Sequence, residues 1–479
     1  MKTGYSFFLL AMLVWPVWNH AQNIGIGTTA PQDKLHVAGA IRTDTLRTQH
    51  IRLNTNAGAG KILTSDATGN ASWQPIAQNI INGSTGFGSW GDCSMANISE
   101  YEPLVHHAPL PSDRFGFSAA LSDAFAIIGT PNDAPNGPFG PGSASVFVHN
   151  GINWVLFDTL TDATGQNSDQ FGYSVAISGN IAVVGAPTDD VGANADQGSA
   201  SIFQFDGSNW QFMQKITDNT GFANSLFGSS VAISGDHILV GALNDDGLPP
   251  ANRGAICFFH FDGTNWVQVQ KINHATNNAN DNFGISVSLD GDYALAGAPG
   301  DNGTGSVFTY RYDGINWVFM NKLTDPAAAA GDRFGSSVSV SGNYAIVGVP
   351  DDDVNANANQ GSVIFYQLSG LAWLQIQKIT DVLGAVDDRF GGSVSLSGNY
   401  AIVGAADDDI MPANNQGTAT IYQRVGLGWQ KLQFVSDPGF APGDNLGTAV
   451  GVNGATKRFF CTVSPYALFS GKVLFGKIN

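Results

Sequence analysis

Aspartate is the residue of this chain with the most chemistry to offer. There are 37, against only two glutamates, Glu100 and Glu102, and many stand in pairs or triplets. Asp189 and Asp190, Asp245 and Asp246, Asp351 to Asp353, and Asp407 to Asp409 fall at matched places in a repeating pattern. Clustered carboxylates can surround a hard cation with oxygen, act as the acid and base of a glycosidase, or create a negative field that steers a cationic partner. Consecutive side chains diverge, which works against a shared metal. Aspartates that recur in most repeats also read as architecture, capping turns and keeping long loops soluble. These ten residues are the candidate binding surface, and calcium is the candidate cofactor.

The other reactive residue types form no constellation. Ser174, Ser230, Ser286, Ser337 and Ser393 share one register, so they read as structural, and no GxSxG elbow occurs. His149, His237, His260 and His274 fall at unrelated places, none in a metal spacing such as HExxH, and His106-His107 reads as an exposed pair. Cys93, Cys257 and Cys461 are an odd number without a CxxC, which suggests neither a disulfide scaffold nor structural zinc; a Cys93–Cys461 bond is one pairing open to them. Catalysis needs a nucleophile, a base and an orienting group brought together where the repeat is broken. An enzyme is not expected.

The elements that must carry the aspartates follow from composition. Of 479 residues, 59 are Gly and only 13% are charged, which disfavours long charged helices. Asp favours turns over helix interiors, so the acids belong mostly in loops. With 43% hydrophobic residues the chain can build a core. A net charge of −18 argues against nucleic-acid and anionic-membrane partners. Lys2 followed by the apolar run Phe7 to Val17 and the small Ala21 reads as a secretory signal peptide, residues 1–21. No later run is long enough for a membrane span.

A period then organises most of the chain. Phe-Gly pairs begin at Phe115, Phe171, Phe227, Phe283, Phe334 and Phe390, and Leu446-Gly447 continues them; the steps are 56 residues except for one of 51. Trp154, Trp210, Trp266, Trp317, Trp373 and Trp429 keep the same steps. Each unit reads as four strands, for example 172–177, 181–185, 199–205 and 210–216, joined by short Gly-containing turns. Four antiparallel strands repeated at a fixed period predict an all-β, seven-bladed β-propeller. After Leu446 only three strands remain, near 448–452, 458–463 and 472–478. The segment 98–105 is expected to supply the fourth and close the ring.

Phe-Gly followed by Gly185-Ala186-Pro187 or Gly297-Ala298-Pro299, with Gly129-Thr130-Pro131 and Gly348-Val349-Pro350 as variants, resembles the FG-GAP repeat of integrin α-subunit propellers and related bacterial proteins. The resemblance covers residues 98–479 and implies an extracellular propeller for recognition or adhesion. Such repeats often carry a DxDxDG calcium cage between Phe-Gly and GAP. Here that stretch has shrunk to Ser178-Gly179-Asn180, Ser234-Gly235-Asp236 or Ser341-Gly342-Asn343, so those calcium sites do not carry over.

Because strand direction alternates, the loops between strands two and three share a face with the loops between units. Twenty-five of the 37 aspartates fall on that face, with Arg114, Arg253, Arg333 and Arg389 the few cations. In the resembled propellers these loops build the ligand-binding face. The Trp series is expected to pack in the core, although repeated aromatics in other propellers stack on sugars. Residues 22–75 resemble the β-rich head repeats of bacterial fibre-type surface proteins, akin to phage tail fibres, which implies a homotrimer through this segment. Residues 76–97 read as a Gly-rich linker. The expected function is a secreted or surface-exposed, non-catalytic recognition or adhesion protein for a protein or matrix partner. A carbohydrate-binding propeller is the alternative, and an extracellular hydrolase the third reading.

Overall fold

A computed structural model describes four short strands of the N-terminal part, the strand Glu102–Leu104, and residues 113–478 apart from loop residues 135–139, 152, 246–252, 274–278, 410–414, 438–442 and 464–470. The chain divides into two units, residues 1–84 and 85–479. In the first, Ile24–Ile26 pairs in parallel with Leu35–Val37, and Lys61–Ser65 pairs antiparallel with Ala71–Pro75. The signal segment, the linker, Cys93, His106, His107 and Asp246 lie outside the described residues. Cys257 and Cys461 are buried free thiols.

The second unit is seven four-stranded antiparallel sheets, six of them following chain order from the first strand to the fourth. Blade 2 consists of Ser174–Ser178, Ile181–Ala186, Ser199–Phe205 and Trp210–Ile216. The five-residue deficit of the short repeat falls in the second-to-third loop of blade 4, where a 3₁₀ turn, Asp301–Gly303, replaces the longer loop. Blade 7 takes Leu446–Asn453, Arg458–Val463 and Lys472–Lys477 from the end of the propeller. Its fourth strand is Glu102–Leu104, with Leu104 opposite Val473 and Glu102 opposite Phe475. The ring therefore closes as the spacing predicts.

The first strands stand innermost and line an axial cavity of about 620 Å³. An innermost strand has no sheet partner on its axial side, which leaves N–H groups unpaired. Serines of the preceding blade accept several of them: Ser288 Oγ from Val340 N–H at 3.0 Å, Ser339 Oγ from Leu396 N–H at 3.0 Å, and Ser395 Oγ from Val452 N–H at 3.2 Å. At the outer edge, the pairing of strands three and four is shifted by a bulge in blades 1–6, between Ile202 and Phe203 in blade 2. Such bulges blunt an edge against pairing with another chain.

Neighbouring blades are joined chiefly through the repeated motif. The Phe side chains are almost fully buried and pack between blades, as Phe115 does against Val473 and Phe475 of blade 7. The six tryptophans are buried too: Trp317 stacks on Phe258 at 4.6 Å, Trp429 on Phe365 at 4.6 Å, and Trp154 packs on Phe475 at 4.7 Å. They reach back onto the preceding blade and are not available for stacking on sugars. Gln214 of blade 2 clasps the backbone of Trp266, donating to its carbonyl at 2.9 Å and accepting from its N–H at 2.8 Å. Gln270–Trp317 and Gln377–Trp429 repeat this clasp.

Two glycines set the closest approach. Gly172 N–H donates to Gly185 O at 3.0 Å within blade 2, while Ser174 Oγ of that blade donates to Gly228 O of blade 3 at 2.7 Å. The Gly after each Phe has a φ near +90°, and the residue before Phe is also left-handed, even when it is Leu226 at +55°. A Cβ on Gly185 would overlap both Gly228 O and Ser174 Oγ. Gly185→Ala should therefore cost roughly 3 kcal/mol or more, read as a large fall in thermal midpoint. Gly179→Ala, with φ +57° but open space around it, should cost only about 1 kcal/mol.

Candidate functional site

The loops between strands two and three and those between blades do share one face, and they hold the aspartates. Among the described residues thirteen of the 25 are buried, however, and these fall into three registers, of which Asp218, Asp325 and Asp437, two residues beyond the end of the fourth strand, form the third. Two residues before the Phe or its equivalent stand Asp113, Asp169, Asp281, Asp332, Asp388 and Asp444. The carboxylate accepts the N–H three residues back, from Gln166 to Asp169 and from Ala329 to Asp332, both at 2.6 Å. Ser225 does the same with its hydroxyl for Phe222 at 3.1 Å. The second register opens the second-to-third loop with Asp189, Asp245, Asp301 and Asp352; Asp189 accepts from Ser199 Oγ at 2.5 Å.

Buried carboxylates need a counter-charge, and the fourth strand supplies it. Five residues after the Trp stand Lys215, Lys271, Lys322 and Lys378. Lys215 Nζ lies 2.6 Å from both Asp162 and Asp189, and Lys271 Nζ lies 2.7 Å from both Asp218 and Asp245. Lys378 bridges Asp325 at 2.8 Å and Asp352 at 2.6 Å, and Lys322 meets Asp301. Burial alone would lower the lysine pKa values, yet the hydrogen bonds that each ammonium donates to its two carboxylates outweigh it and raise those of Lys215, Lys271 and Lys378. An ammonium thus sits between each pair. A divalent ion there would have to displace a tethered charge.

Blade 6 departs from this scheme. Phe434 stands in the lysine register, paired with Thr420 as Lys378 is with Ile364. Burial pushes the Asp408 carboxyl up to about 6; the Thr418 hydroxyl opposes this, and Asp388, Asp381 and Asp409 reinforce it. Burial likewise raises Asp169 of blade 2 to about 6, against the hydrogen bond from Gln166.

The ten aspartates singled out in the sequence therefore do different work. Asp189, Asp245 and Asp352 are internal and paired with lysine, and Asp408 is their uncompensated equivalent. Asp190, Asp353 and Asp409 are exposed, and each accepts the N–H six residues on, from Asp196, Asn359 and Asn415 at 2.7–3.0 Å, which holds its own loop. Asp351 and Asp407 are brought together by Arg389, whose guanidinium lies 3.3 Å from the first and 2.9 Å from the second. Arg333 adds a contact of 3.5 Å to Asp351, and Asn445 Nδ2 donates to Asp407 at 2.9 Å.

Sequence reasoning missed the apolar members of this face. Val382 and Leu383, at the tip of the loop between blades 5 and 6, are 94% and 86% exposed, with Val386, Asp387 and Arg389 exposed close by. Phe222, between blades 2 and 3, is half exposed. The available signal was a Val-Leu pair in a loop whose counterparts read Asn-Thr and Pro-Ala.

A carboxyl that binds its proton more tightly when folded stabilises the fold at low pH and loses that contribution as pH rises through its folded pKa. Asp408 should cost on the order of 2 kcal/mol of stability between about pH 4 and 7. Asp408→Asn should flatten that slope in melts across the range, and Phe434→Lys should raise the midpoint at pH 7.

A scan of protein-family models matches the FG-GAP repeat at residues 154–203, 210–257, 266–310, 317–366 and 373–422. A search of curated proteins finds no match to the chain. Each matched segment begins at the Trp of one blade and ends in the third strand of the next, so the repeat unit spans the junction where the glycines and Ser Oγ meet. Five such segments, covering just over half of the chain on a closed ring of seven blades, make this chain a member of the FG-GAP repeat family.

Proposed function

We propose that the chain is an exported, non-catalytic recognition or adhesion protein that docks an extracellular protein or matrix partner on the loop face of its propeller. The observation that carries this reading is the exposed Val382-Leu383 tip, in the same loop as the exposed Asp387 and Arg389. These are apolar side chains that the fold does not use, on a face that also exposes Asp353 and Asp409, the composition of a docking surface. Export rests on Lys2 and the apolar run Phe7 to Val17. No helix among the described residues is long and apolar enough to cross a membrane. Residues 22–75 would hold the propeller as a homotrimer, on their likeness to fibre heads. The glycan alternative loses its tryptophan platform, since those rings are buried, and a glycan ligand would have to use the same loops. Calcium on this face is confined to carboxylates without a lysine.

The test is a binding screen of the pure protein against immobilised matrix proteins and a glycan array, repeated with Val382→Ser/Leu383→Ser and with Asp353→Asn/Asp409→Asn. The expected outcome is a partner whose affinity falls about tenfold or more in the first variant, with the melting temperature unchanged. Binding that is indifferent to both variants but lost on changing Phe212 and Phe319 of the outer strands would relocate the surface. Turnover of a glycan or phosphoester would overturn the non-catalytic reading.

A further inference from the structure

The opposite face, built from the short turns, carries one place where the repeat is broken by metal-binding side chains. His237 opens the second strand of blade 3, directly after the turn residue Asp236, and is the cross-strand partner of His260 on the third strand. The corresponding pairs are Phe125 with Val148, Ile181 with Gln204, Tyr293 with Arg311, Tyr344 with Gln367 and Tyr400 with Gln423. Blade 3 alone among these places two imidazoles together, and it adds a carboxylate beside them.

The geometry prepares all three groups. The imidazole centroids are 4.8 Å apart. His260 Nδ1 lies 3.1 Å from the Asp236 carbonyl, so an N–H there donates to it and leaves Nε2 with its lone pair free; this backbone contact is what orients ligating histidines in general. His237 Nε2 lies 3.9 Å from Asp236 Oδ1. The His237 ring is wedged against Tyr312 and Trp317 of blade 4, with centroids at 4.5 and 5.4 Å, and its side chain is 10% exposed. Its Nδ1 is buried and has no hydrogen-bond partner among the described residues. Asp292 of blade 4 adds further negative charge close to this ring.

We infer that Asp236, His237 and His260 form a site for a divalent first-row transition ion of the zinc or copper class, with an open coordination position towards solvent. One donor atom from each residue lies within 4.8 Å of the others. An ion held at about 2.0–2.2 Å from each needs donors roughly 3.5 Å apart. Rotation of the exposed Asp236 and the partly exposed His260 supplies that contraction, while packing holds His237 still. Two imidazoles and a carboxylate suit zinc and copper rather than calcium, which prefers oxygen alone. The proposal concerns a different face and a different ligand from the loop-face reading and stands without it.

The test is calorimetric titration of the full chain with zinc after treatment with a chelator. His260→Gln and His237→Tyr install residues that other blades already use at these positions, so the blade is preserved. The wild type should take up one tight equivalent and melt higher with zinc, and each variant should bind about tenfold more weakly or worse while its metal-free melting is unchanged. Wild-type affinity no tighter than about millimolar, or a His260→Gln variant that binds as the wild type does, overturns the proposal. Should His237→Tyr disturb the fold, His260→Gln decides alone, because its side chain stands at the partly exposed end of the strand.

Discussion

Everything in this propeller depends on how closely two backbones can pass where one blade meets the next. The Gly of GAP in one blade lies against the Gly after Phe in the following blade, and a serine hydroxyl crosses the gap to a carbonyl. No side chain fits between them, so the motif is a spacing rule written into the covalent chain. The residue before Phe, or before Leu446 in blade 7, accepts a left-handed backbone in all seven blades to deliver the apolar side chain into the inter-blade core. Strain of that kind persists only where the surroundings enforce it, and here the buried Phe does so.

The charge pattern follows from the same arrangement. Long loops must turn back across the blade ends, and Asp side chains hold them by accepting backbone N–H groups. That brings carboxylates of neighbouring blades together below the surface, where only an opposing charge makes them tolerable. The Lys at the end of the fourth strand provides it in blades 2 to 5. An acidic protein can thus have a loop face that is internally neutralised over much of its depth, with exposed carboxylates such as Asp190, Asp353 and Asp409 outermost. Where Phe434 replaces the lysine, burial instead raises the Asp408 carboxyl to about 6.

The architecture was legible because period, turn residues and strand alternation all report on it. The seven Phe-Gly or Leu-Gly pairs gave the blade count, and the missing fourth strand after Lys472 pointed back to residues near Glu102. Which aspartates face water was not legible. Asp189 and Asp190 are adjacent and chemically identical, and only the lysine arriving from the fourth strand separates a buried one from an exposed one. The clue lay in the Lys register itself, five residues after each Trp. His237 and His260 were set aside for lack of a familiar spacing, since 23 residues of separation do not suggest proximity until the hairpin pairing is known.

The blade assembled from both chain ends has a consequence for quality control. Until Lys472–Lys477 is available, Glu102–Leu104 has no sheet to join, and the preceding blades form an open arc whose first blade bares the apolar face that would pack on blade 7. A prematurely terminated product would therefore remain recognisably unfinished to proteases, whereas the intact molecule presents no free end of its ring. In this sense the closing seam works as a completeness check, granting durability only to molecules that carry every repeat.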